Sequence, residues 1–339
     1  MRVISPSFEI LTPIDADEAL KLIENVGRTC YKSDDKITDE SSVPFVSGII
    51  KRGHEAVIEH YSFIFELNVE SYARLKNKIN ILEDYGFNSF IRITYEDRPI
   101  VSGNVRAWRE FIKTCLEAKV EIPEFMHDFI TCNPILFPEF QDLTFGKPDN
   151  SCLFKQLTIY DLREGVEQLT HIDMTVRLTN DRGVSHEEVR HRVASFAQES
   201  TRYCNYSKDK FGGEVTYIDI KGGMEYDSKV HNLPSEIQQQ IYDEWIQACI
   251  DAERHYNRLI ELGATPQIAR SVLNNSTKTE ICITMNLREW RHFFKLRCAP
   301  AAHPQMREIA MMLLKAFKMM IPVIFDDIYQ ECIEGAETK

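Results

Sequence analysis

Three short stretches of this chain carry their apolar residues at every second position, and long segments of helical or irregular spacing separate them. In the first, Phe63, Phe65, Leu67 and Val69 alternate with Ser62, Ile64, Glu66 and Asn68. In the second, Thr170, Ile172, Met174, Val176 and Leu178 oppose His171, Asp173, Thr175 and Arg177. The third lies at 279–285. A period of two marks strands with distinct faces. The strands do not recur with a helix between each pair, so a regular βαβ architecture is excluded. The class expected is α+β, mixed helices with a mostly antiparallel sheet.

Helical spacing predicts helices over 16–26, 43–52, 105–117, 235–262, 266–273, 287–297 and 304–320, with Gly53 and Gly263 as left-handed caps. A turn is expected at 180–183, followed by a helical stretch through 195. Residues 72–168 organise poorly and offer no candidate site. No internal repeat and no low-complexity tail is expected.

Charge narrows the partners. Lys and Arg number 40 against 52 Asp and Glu, a formal net charge of -12. Nucleic acids and anionic membranes require a basic excess, so neither is an expected partner. An anionic ligand would need a local arginine cluster. The nine cysteines are scattered without a C-x-x-C pair, which argues against a disulfide scaffold or a metal site. The N-terminus lacks a secretory pattern and no stretch is long and apolar enough to span a bilayer, so a soluble cytoplasmic protein is expected.

One arginine cluster is present. Arg190, His191 and Arg192 are followed after seven residues by Ser200, Arg202 and Tyr203, with Glu199 the single acid between Arg190 and Tyr203. This reverses the sign of the surrounding chain. Guanidinium forks suit phosphate oxygens, and Ser195, Gln198, Ser200 and Thr201 add donors. A solvated charged helix face would show similar composition, although His191 between two arginines should lose basicity. A second signal lies on the predicted helix 287–297. Leu287, Trp290, Phe293 and Phe294 form an apolar stripe that includes Arg297, while Arg288 and His292 lie one turn apart on the opposite face. Arg297 must either meet an anion or escape to water where the helix frays before Pro300. Weaker signals are the pairs His54-Glu55 and Glu59-His60, and Arg270. No Walker loop, dinucleotide fingerprint or hydrolase elbow occurs.

In order, these blocks resemble the flavin-dependent thymidylate synthases. The family's R-H-R-x7-S-x-R-Y stands here as Arg190-His191-Arg192, Ser200, Arg202 and Tyr203. His54-Glu55 and Glu59-His60 through Phe65 match its H-E…E-H-x-x-F-x-F, and Ala269-Arg270 through Leu273 its A-R-x-x-L. Asn286-Leu287-Arg288, Leu296-Arg297 and His303 through Arg307 match the last block. Local departures are Ala56 for Thr, Glu187 for Gln, Ala197 for Asn, Gln198 for Glu and Asn274 for Pro.

The resemblance implies an FAD-dependent methyltransferase of dTTP biosynthesis. It would convert dUMP to dTMP with 5,10-methylenetetrahydrofolate as methylene donor and NADPH-reduced FAD as hydride source. His54, Ala56, Arg190, His191, Arg192, Gln198, Asn286, Arg288 and His292 would hold FAD. Glu187, Arg190, Gln198, Glu199, Ser200, Thr201, Arg202, Arg270 and Arg297 would hold dUMP, with Arg297 favouring ionisation of the uracil N3. No cysteine need be a nucleophile. Homotetramers with shared sites are implied, as is a catalytic domain over 1–71 and 168–325, an insertion over 72–167 and a C-terminal tail over 326–339. The alternatives are another nucleotide-binding flavoenzyme without methyl transfer, and an RNA-binding module built on 190–203.

Overall fold

The computed structural model describes residues 1–12, 18–87, 90–95, 98–143, 155–156, 168–202, 204–208 and 212–337. Its strands are β1 (Arg2–Ile4), β2 (Ser7–Ile10), β3 (Ser62–Glu66), β4 (Arg92–Tyr95), β5 (Pro99–Asn104), β6 (Lys155–Gln156), β7 (Asp173–Asp181), β8 (Ser195–Gln198), β9 (Thr216–Ile218) and β10 (Lys278–Asn286). Its helices are α1 (Ala19–Tyr31), α2 (Ser42–Lys51), α3 (Val69–Glu83), α4 (Val105–Glu117), α5 (Met126–Cys132), α6 (Arg182–Glu188), α7 (Lys221–Tyr226), α8 (Ser228–His231), α9 (Ser235–Glu261), α10 (Pro266–Ala269), α11 (Leu287–Arg297), α12 (Pro304–Met320) and α13 (Pro322–Glu337). Two antiparallel four-stranded sheets result, in the orders β2-β7-β10-β8 and β4-β5-β3-β6, and β1 pairs in parallel with β9. The class is α+β, as the spacing of strands and helices requires.

Most predicted helices form, and Gly53 and Gly263 take positive φ of 69° and 94° at their ends. Several boundaries differ. Val69, expected to prolong the first strand, instead opens α3, because the Asn68 side chain accepts a hydrogen bond from Ser71 N at 2.8 Å and caps a helix there. The expected turn at 180–183 is the end of β7 followed directly by α6, with Asn180 and Asp181 paired to Thr279 and Lys278. Helical structure ends at Glu188 rather than 195. Residues 195–198 pair with 281–284 of β10, so sheet pairing overrides their local spacing. Residues 326–337, expected as a tail, belong to α13, which buries Phe325 and Ile328 against the core.

Contrary to expectation, the chain carries an internal repeat. The stretch Asn104-Val105-Arg106-Ala107-Trp108-Arg109-Glu110-Phe111 returns as Asn286-Leu287-Arg288-Glu289-Trp290-Arg291-His292-Phe293. Each copy ends a strand and starts a helix. The Asn104 side chain accepts from Ala107 N at 2.8 Å and that of Asn286 from Glu289 N at 2.9 Å. Val105 N donates to Tyr61 O and Leu287 N to Ile172 O. The register repeats too, since Ser62 pairs with Asn104 as Asp173 pairs with Asn286. Arg92 faces Ser102 as Ser195 faces Thr284. Arg109 bonds Leu136 O and Glu139, and Arg291 bonds Ile324 O and Asp327.

Each repeat has its own aromatic core. Trp108, Phe111, Phe129 and Phe137 fill the first, and Trp290, Phe293, Phe317 and Phe325 the second. Phe129–Phe137 and Phe317–Phe325 meet at 4.9 and 5.3 Å between centroids. The repeats contact one another reciprocally. His60 Nδ1 lies 2.7 Å from Thr284 Oγ1 in the second repeat, and His171 Nδ1 lies 2.8 Å from Ser102 Oγ in the first. Reciprocity of this kind is the signature of an isologous contact, here made within one chain. The edge strands are exchanged as well. Strand β2 precedes the first repeat yet adds to β7, and β6 precedes the second yet adds to β3.

Candidate functional site

The arginine cluster is placed by the shortness of α6. Asp181 caps it by accepting from Val184 N at 2.7 Å, and after Glu188 the chain turns, with Arg190 N and His191 N donating to Glu187 O and Glu188 O. Arg190 and Arg192 are thereby exposed while His191 is buried. Helix α11 meets this turn. Its apolar stripe of Leu287, Trp290, Phe293 and Phe294 is buried as the spacing predicts. Arg297, at the end of the stripe, donates from Nε to His191 Nε2 at 3.1 Å. It also pairs with Glu187 Oε2 at 2.5 Å and donates to Glu187 O at 2.8 Å. The anion that Arg297 required is therefore a carboxylate of its own chain.

These contacts set the state of His191. Burial first, then the Arg297 guanidinium and His292, push its pKa down to about 4. The ring is neutral at pH 7, accepts at Nε2 and carries its proton on Nδ1. The His292 ring lies 5.9 Å away between centroids and is exposed beside Arg288. Glu187, His191, His292 and Arg297 thus form one cluster drawn from two separate sequence blocks. Among the described residues, no carboxylate pairs with Arg190, Arg192 or Arg288.

A second group forms where β8 leads into the following loop. Arg270 Nη1 donates to Thr201 Oγ1 at 2.8 Å, Arg202 is exposed and Ser200 half-buried. Gln198 Nε2 donates to Ser185 Oγ at 2.9 Å and to Thr279 Oγ1 at 3.1 Å. Glu199 points into the protein. It pairs with Lys278 at 2.9 Å, accepts from the Tyr206 hydroxyl at 3.1 Å and is 1% exposed. Tyr203 lies outside the described residues. His54 and Ala56 are exposed on the turn after α2, and among the described residues no bond joins them to Arg190–Arg192 or to Arg288. Asn286 is buried because its amide oxygen caps α11.

Arg192 and Asn286 line a cleft of about 460 Å3 between the two repeats. Its opposite wall comes from residues that sequence reading had passed over: Arg92, Asn104, Arg106 and Glu110. Arg92 is bonded to Asp173 at 2.7 and 3.0 Å, and Arg106 to Glu59 at 2.6 Å and Glu110 at 2.7 Å. The signal that could have found this wall was the repeated Asn-x-Arg.

Glu188 was also missed. It is fully buried, accepts from Asn180 Nδ2 at 2.6 Å, and its Oε2 has no partner among the described residues. Burial, with Asp181 and Glu187 nearby, pushes its pKa from 4.5 up to about 8. The folded chain therefore holds this proton where the unfolded chain has lost it. The resulting stability is full below about pH 4.5 and is lost as pH rises through 8. Glu188→Gln is expected to raise stability by roughly 1–3 kcal/mol at pH 8.5 and to change little at pH 4.5. Calorimetric melting at both pH values checks this, and an equal effect at both would contradict it.

Comparison with known proteins follows the same blocks. The family profile described as thymidylate synthase complementing protein matches residues 14–75 and 161–323. A flavin-dependent thymidylate synthase of Geobacter sulfurreducens is 35% identical over 168 residues, covering 49% of this chain and 66% of that protein. One from Corynebacterium aurimucosum is 30% identical over 190 residues, 55% of this chain and 75% of the relative. One from Pyrococcus furiosus is 31% identical over 150 residues, 43% and 55% respectively. The chain thus spans between about half and three quarters of the curated relatives it matches. Among the described residues no helix is long and apolar enough to cross a membrane, and no cluster suited to a metal ion occurs.

Proposed function

The chain belongs to the thymidylate synthase complementing protein family, and from that premise we propose that it is a flavin-dependent thymidylate synthase. It methylates dUMP to dTMP with 5,10-methylenetetrahydrofolate, uses FAD and NADPH, and acts in the cytoplasm as a homotetramer with shared sites. The observation that carries this reading is the bond between Arg297 and His191, which joins the Arg190–Arg192 turn to the helix of Arg288 and His292. Guanidinium groups that no described carboxylate pairs with stand on both of the segments so joined. That donor set fits a dinucleotide, whose phosphates accept bidentate arginine bonds.

When bound, FAD supplies the hydride that completes the methyl group. The chain's own residues bind and orient. Arg190, Arg192 and Arg288 hold phosphate charge, neutral His191 contacts the cofactor without adding positive charge to the site, and His292 contacts it from the same helix as Arg288. His54, Ala56, Gln198 and Asn286 complete the flavin set. Ser200, Thr201, Arg202 and Arg270 hold dUMP, with Arg190, Glu187 and Gln198 beside them, while Glu199 acts from behind by fixing β8 to Lys278. Arg297 is held in place by Glu187, and its charge stabilises the anionic form of the uracil N3. The bound nucleotide and folate are positioned by these groups rather than by a covalent cysteine.

The test is anaerobic. The purified protein should show flavin absorption bands that bleach with NADPH and return when dUMP and 5,10-methylenetetrahydrofolate are added, with dTMP formed. Flavin bands that bleach with NADPH and stay bleached after dUMP and 5,10-methylenetetrahydrofolate are added, with no dTMP formed, would favour the flavoenzyme that transfers no methyl group. Arg288→Ala is expected to weaken FAD binding at least tenfold, measured by calorimetric titration, with the melting temperature little changed. Unaltered affinity would remove Arg288 from the flavin set.

A further inference from the structure

The internal repeat gives the chain two equivalent scaffolds: Asn286 and Arg288 recur as Asn104 and Arg106, but the setting of the arginine and the other ligand-bearing positions differ. Arg288 of the second repeat is exposed and unpaired with any described carboxylate, whereas its counterpart Arg106 is bonded to Glu59 and Glu110, with Glu55 3.9 Å away. The acids that hold Arg106 have uncharged or basic counterparts in the second repeat, Thr170 for Glu59 and His292 for Glu110. An anion approaching Arg106 would meet carboxylates that have already neutralised it.

The other positions agree. By the register that matches Arg92 to Ser195, positions 190–192 correspond to 87–89, which carry Phe, Asn and Ser in sequence and no cation. Arg297 corresponds to Cys115, which is buried in the first aromatic core. The segment that bears Thr201 and Arg270 lies between β8 and β10, while the equivalent strands β4 and β5 are separated by positions 96–98 alone. Meanwhile the apolar and hydrogen-bonding positions are kept, including both tryptophans, both helix-capping asparagines and the reciprocal histidines.

We propose that the first repeat is a ligand-silent copy of the second: it supplies the isologous partner that the second repeat packs against, and each chain binds one flavin dinucleotide, on the Arg288 side and not on the Arg106 side. This rests on the flavin reading above. Residues 72–167 then have a definite role, because they furnish most of a built-in mate whose arginine is already paired to carboxylates.

The full chain is titrated with FAD by calorimetry, and the flavin-to-protein ratio of the saturated protein is read from absorbance. One flavin per chain is expected. Arg288→Gln should raise Kd at least tenfold, and Arg106→Gln should change it less than threefold. If Arg106→Gln fails to fold, Arg106→Lys keeps the ion pairs but removes the planar fork, and it should bind FAD as the parent does. Two flavins per chain, or an Arg106 variant as damaging as Arg288→Gln, overturns the proposal while leaving the flavin reading intact. Absence of any flavin binding instead removes that reading, and this proposal with it.

Discussion

Arg297→Ala is expected to lower kcat by about 10²–10³-fold while FAD is retained, the loss typical of removing one preorganised charge from a reacting site. The geometry makes a second readout available. In the parent, burial and the adjacent guanidinium hold the His191 imidazole at a pKa of about 4. Removing Arg297 takes away both the repulsion and the Nε donor at 3.1 Å. The pKa of His191 should therefore rise toward its ordinary 6.5, short of it because the ring stays buried. Titration of the imidazole carbon-bound protons by NMR measures this directly. Normal turnover in the variant would refute the role given to Arg297, and an unmoved His191 would refute the electrostatic link between the two residues.

The largest effect on stability is expected at Trp290. Its ring is fully buried among Phe293, Phe294 and Phe317, and its Nε1 donates to Met174 O at 3.0 Å. Trp290→Ala should cost about 3–5 kcal/mol, since the surrounding rings cannot close the space. Trp108, its counterpart, is equally buried, but its Nε1 has no hydrogen-bond partner among the described residues. Trp290→Phe should therefore cost roughly 1 kcal/mol more than Trp108→Phe, the worth of the hydrogen bond lost only in the second repeat. Urea melts of the two phenylalanine variants decide the point. Equal costs would mean that the Met174 bond adds nothing net.

What the sequence made legible was whatever is encoded locally. The helix 287–297 and its apolar stripe follow from spacing over a few turns, and Arg297 stood out because charge inside such a stripe needs a partner. The identity of that partner was not legible, since Glu187 lies 110 positions away and is joined only by the fold. The strand at 195–198 was hidden for the same reason, its pairing with 281–284 being invisible to local spacing. Glu199 illustrates the converse. It sits inside the binding motif, yet its carboxylate is turned to Lys278 in the interior. The repeat is hidden in the sequence because its two copies differ mainly in what joins their strands, 96–98 in one and 199–277 in the other. Only short capped strand ends preserve the resemblance, and those become evident once the registers of the two sheets are set side by side.

The exchange of edge strands bears on how the chain is made. Strand β2 finds its place on β7, and β1 on β9, so the first ten residues have no partner until residues 173–218 have left the ribosome. At synthesis rates of roughly 5–20 residues per second that is a wait of about ten to forty seconds. The hairpin of β4 and β5, by contrast, can close on β3 once residue 104 has emerged. The first repeat is therefore positioned to fold early and to act as a template during translation, while the N-terminal strands stay unpaired until the second repeat arrives.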